Sequence, residues 1–111
     1  MNAEELKSKL KEIFGNQVVF NKDFDYYANS IKNVEDILIK WCLLLKDNKI
    51  HSVRAPNLDD EVIFIKKIGS ANRCIIIKIK NGEFKEVHLA DHVYYNHLTK
   101  KLGLKKSSNT Y

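Results

Sequence analysis

The sequence predicts an α+β fold in which N-terminal helices pack on a small antiparallel sheet and a short helix closes the chain. Three observations predict it. Apolar residues recur at helical spacing through the first half. The second half carries two β-branched runs, 63–68 and 75–79, separated by the turn residues Gly69, Ser70, Ala71 and Asn72. Asn81 and Gly82 then mark a second turn before a third extended run, 86–89. With 111 residues, 44% of them hydrophobic, the chain can bury one modest core but not two.

The elements follow in order. Leu6, Leu10, Ile13 and Phe14 fall at i, i+4, i+7 and i+8, with Asn2 and Glu5 as a capping box and Gly15 as the stop, so the chain opens with a short amphipathic helix. Residues 17–20 read as a brief strand. Asn21 or Asp23 then caps a helix carrying Phe24, Tyr27, Ala28 and Ile31 on one side. Asn33 caps the main core helix, where Val34, Ile37, Leu38, Trp41, Leu44 and Leu45 repeat at helical spacing and Glu35 and Asp36 favour the first turn. An extended segment leads to Pro56, the only proline. After the strands, Asp91 caps a last helix with Tyr94, Leu98 and Leu102 on one side and Gly103 as its stop; residues 105–111 have no apolar pattern and read as a frayed tail.

The second hairpin raises a question of register. A two-residue loop at Asn81 and Gly82 would set Ile75, Ile77 and Ile79 on the face opposite Val87 and Leu89. A three-residue loop with Gly82 in the left-handed conformation shifts the parity, and all five then share one buried face. The second arrangement is the expected one.

Charge is uneven along the chain. Residues 1–50 hold eight lysines and eight acids, whereas residues 51–111 hold eleven Lys or Arg and six acids, so the formal net charge of +5 belongs to the second half. Clustered cations release counterions when they neutralise phosphates, which makes a polyanion partner one reading and mere solubility the other. No apolar run approaches the ~20 residues of a membrane span, and the first residues are acidic rather than a basic leader, so a cytoplasmic location is expected. Cys42 and Cys74 read as buried thiols rather than a bridge.

There is no Gly-rich phosphate loop, no nucleophile elbow and no paired CxxC. Three features carry chemistry. Arg73, at the start of the isoleucine strand, offers a planar fork for a phosphate or an ion pair with Glu61 or Glu86; Lys66, Lys67, Lys78 and Lys80 add positive field or are simply solvated. The cluster His88, Asp91, His92, Tyr94, Tyr95 and His97 combines an imidazole that titrates near neutrality with rings that can stack on a base. His88, mid-strand, reads as a packed or edge residue, and His92, just past the strand, reads equally as a functional or a structural one. As metal ligands, His88, Asp91 and His92 cross a strand-to-helix junction without i, i+4 geometry, so no metal is expected there. Arg54, with His51 and Pro56, borders the meander and could line a groove for RNA.

The order of short strand, two helices, extended 53–58, strand 62–67, turn, then Asn72-Arg73-Cys74-Ile75-Ile76-Ile77-Lys78, Asn81-Gly82, 86–89 and Asp91-His92-Val93-Tyr94 resembles the RelE/ParE toxin superfamily. In that family an Arg followed by apolar residues opens a central strand, which Arg73 matches, and a segment ending in Tyr follows the last strand, which Asp91-His92 with Tyr94 or Tyr95 resembles. The resemblance sets residues 1–16 apart as an N-terminal helical extension, 17–104 as a RelE-like α+β domain and 105–111 as a tail. It implies the toxin of a toxin–antitoxin pair, a metal-independent endoribonuclease without a cofactor that cleaves mRNA on the ribosome. It further implies that His92 is acid or base, Arg73 stabilises the scissile phosphate, Tyr94 or Tyr95 stacks on a base, and Arg54, Lys66, Lys67 and Lys78 hold the RNA. A cognate antitoxin would cover this basic face. Two arginines are fewer than active members carry, and Asp91 repels phosphate. An inactive or gyrase-directed relative, a non-catalytic nucleic-acid-binding module and a protein-interaction domain are therefore alternatives.

Overall fold

A computed structural model describes residues 2–53 and 59–102. Arg54, Pro56, Gly103 and the tail 105–111 lie outside the described residues. The order is α1 (Ala3–Phe14), β1 (Val19–Phe20), α2 (Phe24–Ser30), α3 (Val34–Lys46), β2 (Glu61–Ile68), β3 (Asn72–Ile79), β4 (Phe84–Asp91) and α4 (His92–Leu102). The α+β class is as the spacing predicts. The sheet, however, is mixed: its order is β1-β4-β3-β2, and β1 runs parallel to β4 while the other pairs are antiparallel.

The helices begin and end for local reasons. Asn2 Oδ1 accepts the Glu5 amide at 2.9 Å, and Gly15 stops α1 at φ 108°, a conformation that other residues rarely adopt. Asn33 and Asp23 occupy the N-cap positions of α3 and α2 without a side-chain cap bond; Asn33 instead supplies a left-handed backbone at φ 58°. Asn21 serves the sheet. Its side-chain amide donates to the Leu89 carbonyl at 3.0 Å and accepts the Leu89 amide at 2.9 Å, continuing the parallel ladder one step past β1. Gln17 ties the end of α1 to β4, donating to the carbonyls of Phe14 and Phe84.

Helices α1, α2 and α3 cover one face of the sheet. Leu6, Leu10, Phe24, Val34, Leu38, Trp41 and Leu45 meet Phe64, Ile68, Cys74, Ile76, Val87 and Leu89 in the main core. Each large apolar side chain fully buried there contributes about 1.5–3 kcal/mol of transfer free energy. Helix α1 belongs to this core, with Leu6 and Leu10 sealed against its neighbours. Ile37 and Leu44 flank the α3 stripe and stay part-exposed, while Cys42 takes an inner position. Cys42 and Cys74 are free and buried, and burial pushes the Cys42 thiol up to about 12.

The other face has its own core. Ile63, Ile75, Ile77 and Tyr95 cluster there with Val53, Ile65 and Leu98, and α4 lies over them. This corrects the expected register. The hairpin loop spans three residues, with the Ile79 amide bonded to the Glu83 carbonyl, but the left-handed residue is Asn81 at φ 60°. Gly82 has no positive φ; a Cβ there would sit 3.0 Å from the side chain of the exposed Ile79, a tight contact. A bulge then shifts the ladder: Lys78 faces Phe84, yet Ile77 faces Glu86, leaving Lys85 extra. Beyond it Ile75 lies opposite His88 and Ile76 opposite Val87, so Ile75 and Ile77 occupy the face away from Val87 and Leu89. A sheet covered on both sides does not need its isoleucines on one face.

Candidate functional site

Directly opposed residues in a ladder share a face, and this sorts the basic residues. Lys67, Arg73 and Ala90 lie on the α4 side; Lys66 and Lys78 share parity with Phe64, Cys74 and Ile76 and lie on the side of the first three helices. The lysines expected to hold one RNA backbone are therefore divided between two faces. Lys78 Nζ lies 5.8 Å from the Phe84 ring centre and donates to the Ile79 carbonyl.

Arg73 and His92 come to the same end of the sheet. Arg73 faces Ala90, Asn72 faces Asp91, and the His92 amide donates to the Ala71 carbonyl at 2.8 Å. His92 is exposed as the first residue of α4. Arg73 Nη1 donates to the Asn72 carbonyl at 2.8 Å, and its guanidinium lies 5.5 Å from the Tyr95 ring centre, in cation–π range. Its Nε is buried without a hydrogen-bond partner, an orphaned donor beneath α4. Neither Glu61 nor Glu86 pairs with it. Lys85 bridges them instead, at 2.6 Å from Glu61 and 4.0 Å from Glu86.

Tyr95 is 5% exposed and packs in the second core, so it presents no open ring face, whereas Tyr94 is half-buried. Asp91 is turned toward the helical layer. Its Oδ1 accepts the Tyr94 amide at 3.0 Å, capping α4, and the Tyr27 hydroxyl bonds the same carboxylate. The amide bond, opposed by desolvation and helped by Tyr27, the Val93 amide and His92, holds the Asp91 carboxyl below its ordinary range. The repelling charge read from the sequence is thereby tied to α4 and α2.

The sequence put His88 and Tyr94 in one cluster but did not join Glu86 to them. On the α4 face of β4, Glu86 and His88 stand two residues apart and share a side, and Tyr94 reaches them from α4. His88 Nδ1 lies 2.7 Å from the Tyr94 hydroxyl and His88 Nε2 lies 2.9 Å from Glu86 Oε1. The His88 side chain is 11% exposed and Glu86 29%. Burial, then the charges of Glu86 and Asp23, raises the Tyr94 hydroxyl above its ordinary value, so it stays protonated at neutral pH. The alternation Glu-x-His was a visible signal for a shared face, but only the docking of α4 supplies the tyrosine. Among the described residues, no three His, Cys, Asp or Glu side chains gather as metal ligands, and no helix is long and apolar enough to cross a membrane.

No protein-family model, curated protein or solved structure matches this chain.

Proposed function

We propose that this protein is a toxin-like endoribonuclease that cleaves mRNA on the ribosome without a metal and is held in check by a partner antitoxin. One observation carries the reading: Arg73, whose Nε is buried without a partner, and His92, exposed at the start of α4, stand at the same end of the sheet. In the proposed reaction the ribose 2′-oxygen attacks phosphorus, the bond to the 5′-oxygen breaks, and a 2′,3′-cyclic phosphate and a 5′-hydroxyl result. His92 takes the 2′-hydroxyl proton, and Arg73 stabilises the charge that develops on the phosphoryl oxygens.

The test is mRNA cleavage by the purified protein in the presence of ribosomes. Wild type should cut, and His92→Ala together with Arg73→Ala should abolish cutting while the circular-dichroism spectrum is unchanged. An intact transcript with wild type, over a range of messages, would sink the enzyme reading. A second reading, a non-catalytic nucleic-acid-binding module, draws on the Arg73 contacts themselves: with Nη1 on Asn72 and its plane near Tyr95, the arginine also serves as packing. Salt-sensitive RNA binding without cleavage would favour it.

A further inference from the structure

Helix α3 is apolar nearly all round: only Glu35, Asp36, Lys40 and Lys46 of its 13 residues are polar. One stripe, Val34, Leu38, Trp41, Cys42 and Leu45, is buried in the main core. Outside that stripe, Leu43 is 50% exposed, Leu44 39% and Ile37 37%. A monomer needs only the inner stripe, and a helix that carries apolar residues on its outer side as well is one that another surface covers. We propose that this outer face of α3 pairs with the same face of a second copy of the chain, antiparallel, about a two-fold axis beside Leu43 and Leu44.

Charge selects that occupant and that direction. Lys40 and Asp47 flank the two leucines, both are exposed, and neither has an ion-pair partner among the described residues. Counted along the helix they stand two turns apart, about 10.5 Å, and only about 20° apart around its axis, so they share the outer face. A two-fold axis reverses the order of residues on the facing helix. Leu43 then meets the second copy's Leu44, and on both flanks Lys40 meets the second copy's Asp47. The face is its own complement. A parallel pair would set Lys40 against Lys40 and Asp47 against Asp47, which repulsion between like charges disfavours.

The surface beside Leu43 suits an apolar contact. A groove of about 430 Å³ between α1 and α3 is lined by Lys9, Glu12, Ile13, Ile39, Leu43 and Lys46. Under the two-fold axis the Leu43 side chains of the two copies come together at the edge of this groove and carry its apolar floor across the axis. The polar groups of the rim keep their own partners: Lys9 pairs with Glu12 at 3.6 Å, and the Lys46 ammonium donates to the Ile13 carbonyl at 2.7 Å. The face belongs to the helical layer, whereas Arg73 and Tyr95 lie on the α4 side. The pairing is therefore independent of the ribonuclease reading.

Sedimentation equilibrium of the full chain over a range of concentrations reads the association. Wild type should show a monomer–dimer equilibrium. Lys40→Glu and Asp47→Lys should each raise the dimer Kd about tenfold or more, because two symmetry-related attractions become two repulsions. The double variant restores opposite charges across the axis, and its Kd should return toward that of wild type. In about 1 M salt, where the screening length falls to about 3 Å, the single charge variants should converge on wild type. Leu43→Ser should leave the chain monomeric with a urea midpoint close to wild type, since half of that side chain already faces solvent. The exposed charge variants carry the test alone should the serine variant fail to fold. A wild-type chain that stays monomeric overturns the pairing and leaves the outer face of α3 to a different partner. A dimer that the single charge variants do not weaken, or that the double variant does not restore, is built on another surface and overturns it as well.

Discussion

Arg73→Met separates the two duties of Arg73. Methionine keeps an unbranched chain against Tyr95 and removes a buried N–H that has no acceptor, so the stability lost with the bond to Asn72 is offset by removal of the orphan. Urea unfolding should find the variant within about 1 kcal/mol of wild type. RNA cleavage should fall about 100-fold or more, the scale of a lost oxyanion donor. Retained cleavage would make the arginine a packing residue only. Asp91 calls for a different measurement. Its carboxyl is held low, chiefly by the Tyr94 amide, so it adds stability above the unfolded value of ~3.9, and that contribution is lost as pH falls through the lower folded value. Asp91→Ala should cost about 1 kcal/mol at neutral pH, as an emptied N-cap does. The difference from wild type should shrink in acid below the ordinary carboxyl range. A difference that stays constant down to that range would mean the carboxylate charge is not what holds α4.

At the scale of elements, the β3–β4 hairpin is the sharpest test of local chemistry. Asn81 holds φ 60°, so Asn81→Gly should be nearly neutral and Asn81→Val should destabilise by about 1–2 kcal/mol, read from the urea midpoint. If Gly82 were the left-handed residue, the valine would be tolerated. The three-residue loop was legible, because Asn-Gly between apolar runs announces a tight connection. The bulge at Lys85 was not. It leaves no compositional mark, and it reverses the parity of every later residue, which moved His88 and Glu86 onto the face of Ile75 and Ile77. The first three helices were readable from their 3.6-residue period, including the Asn2 cap and the Gly15 stop. The parallel pairing of Val19 and Phe20 with Glu86 and Val87 was hidden for a different reason: two residues carry too little pattern to name a partner 67 positions away. Of the candidate site, Arg73 and His92 were visible as residue types at element ends. The contact of Glu86, His88 and Tyr94 was not, since it depends on α4 folding back over β4 to bring Tyr94 within 2.7 Å of His88.

The whole molecule carries its excess of positive charge in the second half of the chain, but the sheet divides that charge between its faces. Net charge alone therefore says too little about where a polyanion would lie. Lys67 faces Arg73 on the α4 side and is exposed, whereas Lys78 extends on the opposite side, its amine near Phe84 and bonded to the Ile79 carbonyl. If RNA runs along the end of the sheet that holds Arg73 and His92, Lys67 releases a counterion on binding and Lys78 does not. Titrating a fluorescent single-stranded RNA at several salt concentrations gives the slope of log K against log salt. Lys67→Ala should reduce the magnitude of that slope by about 0.7, the contribution of one neutralised single-strand phosphate, and Lys78→Ala should leave it where wild type has it. The reverse pattern would move the RNA to the face covered by α1, α2 and α3. That placement would leave Arg73 and His92 without a shared substrate.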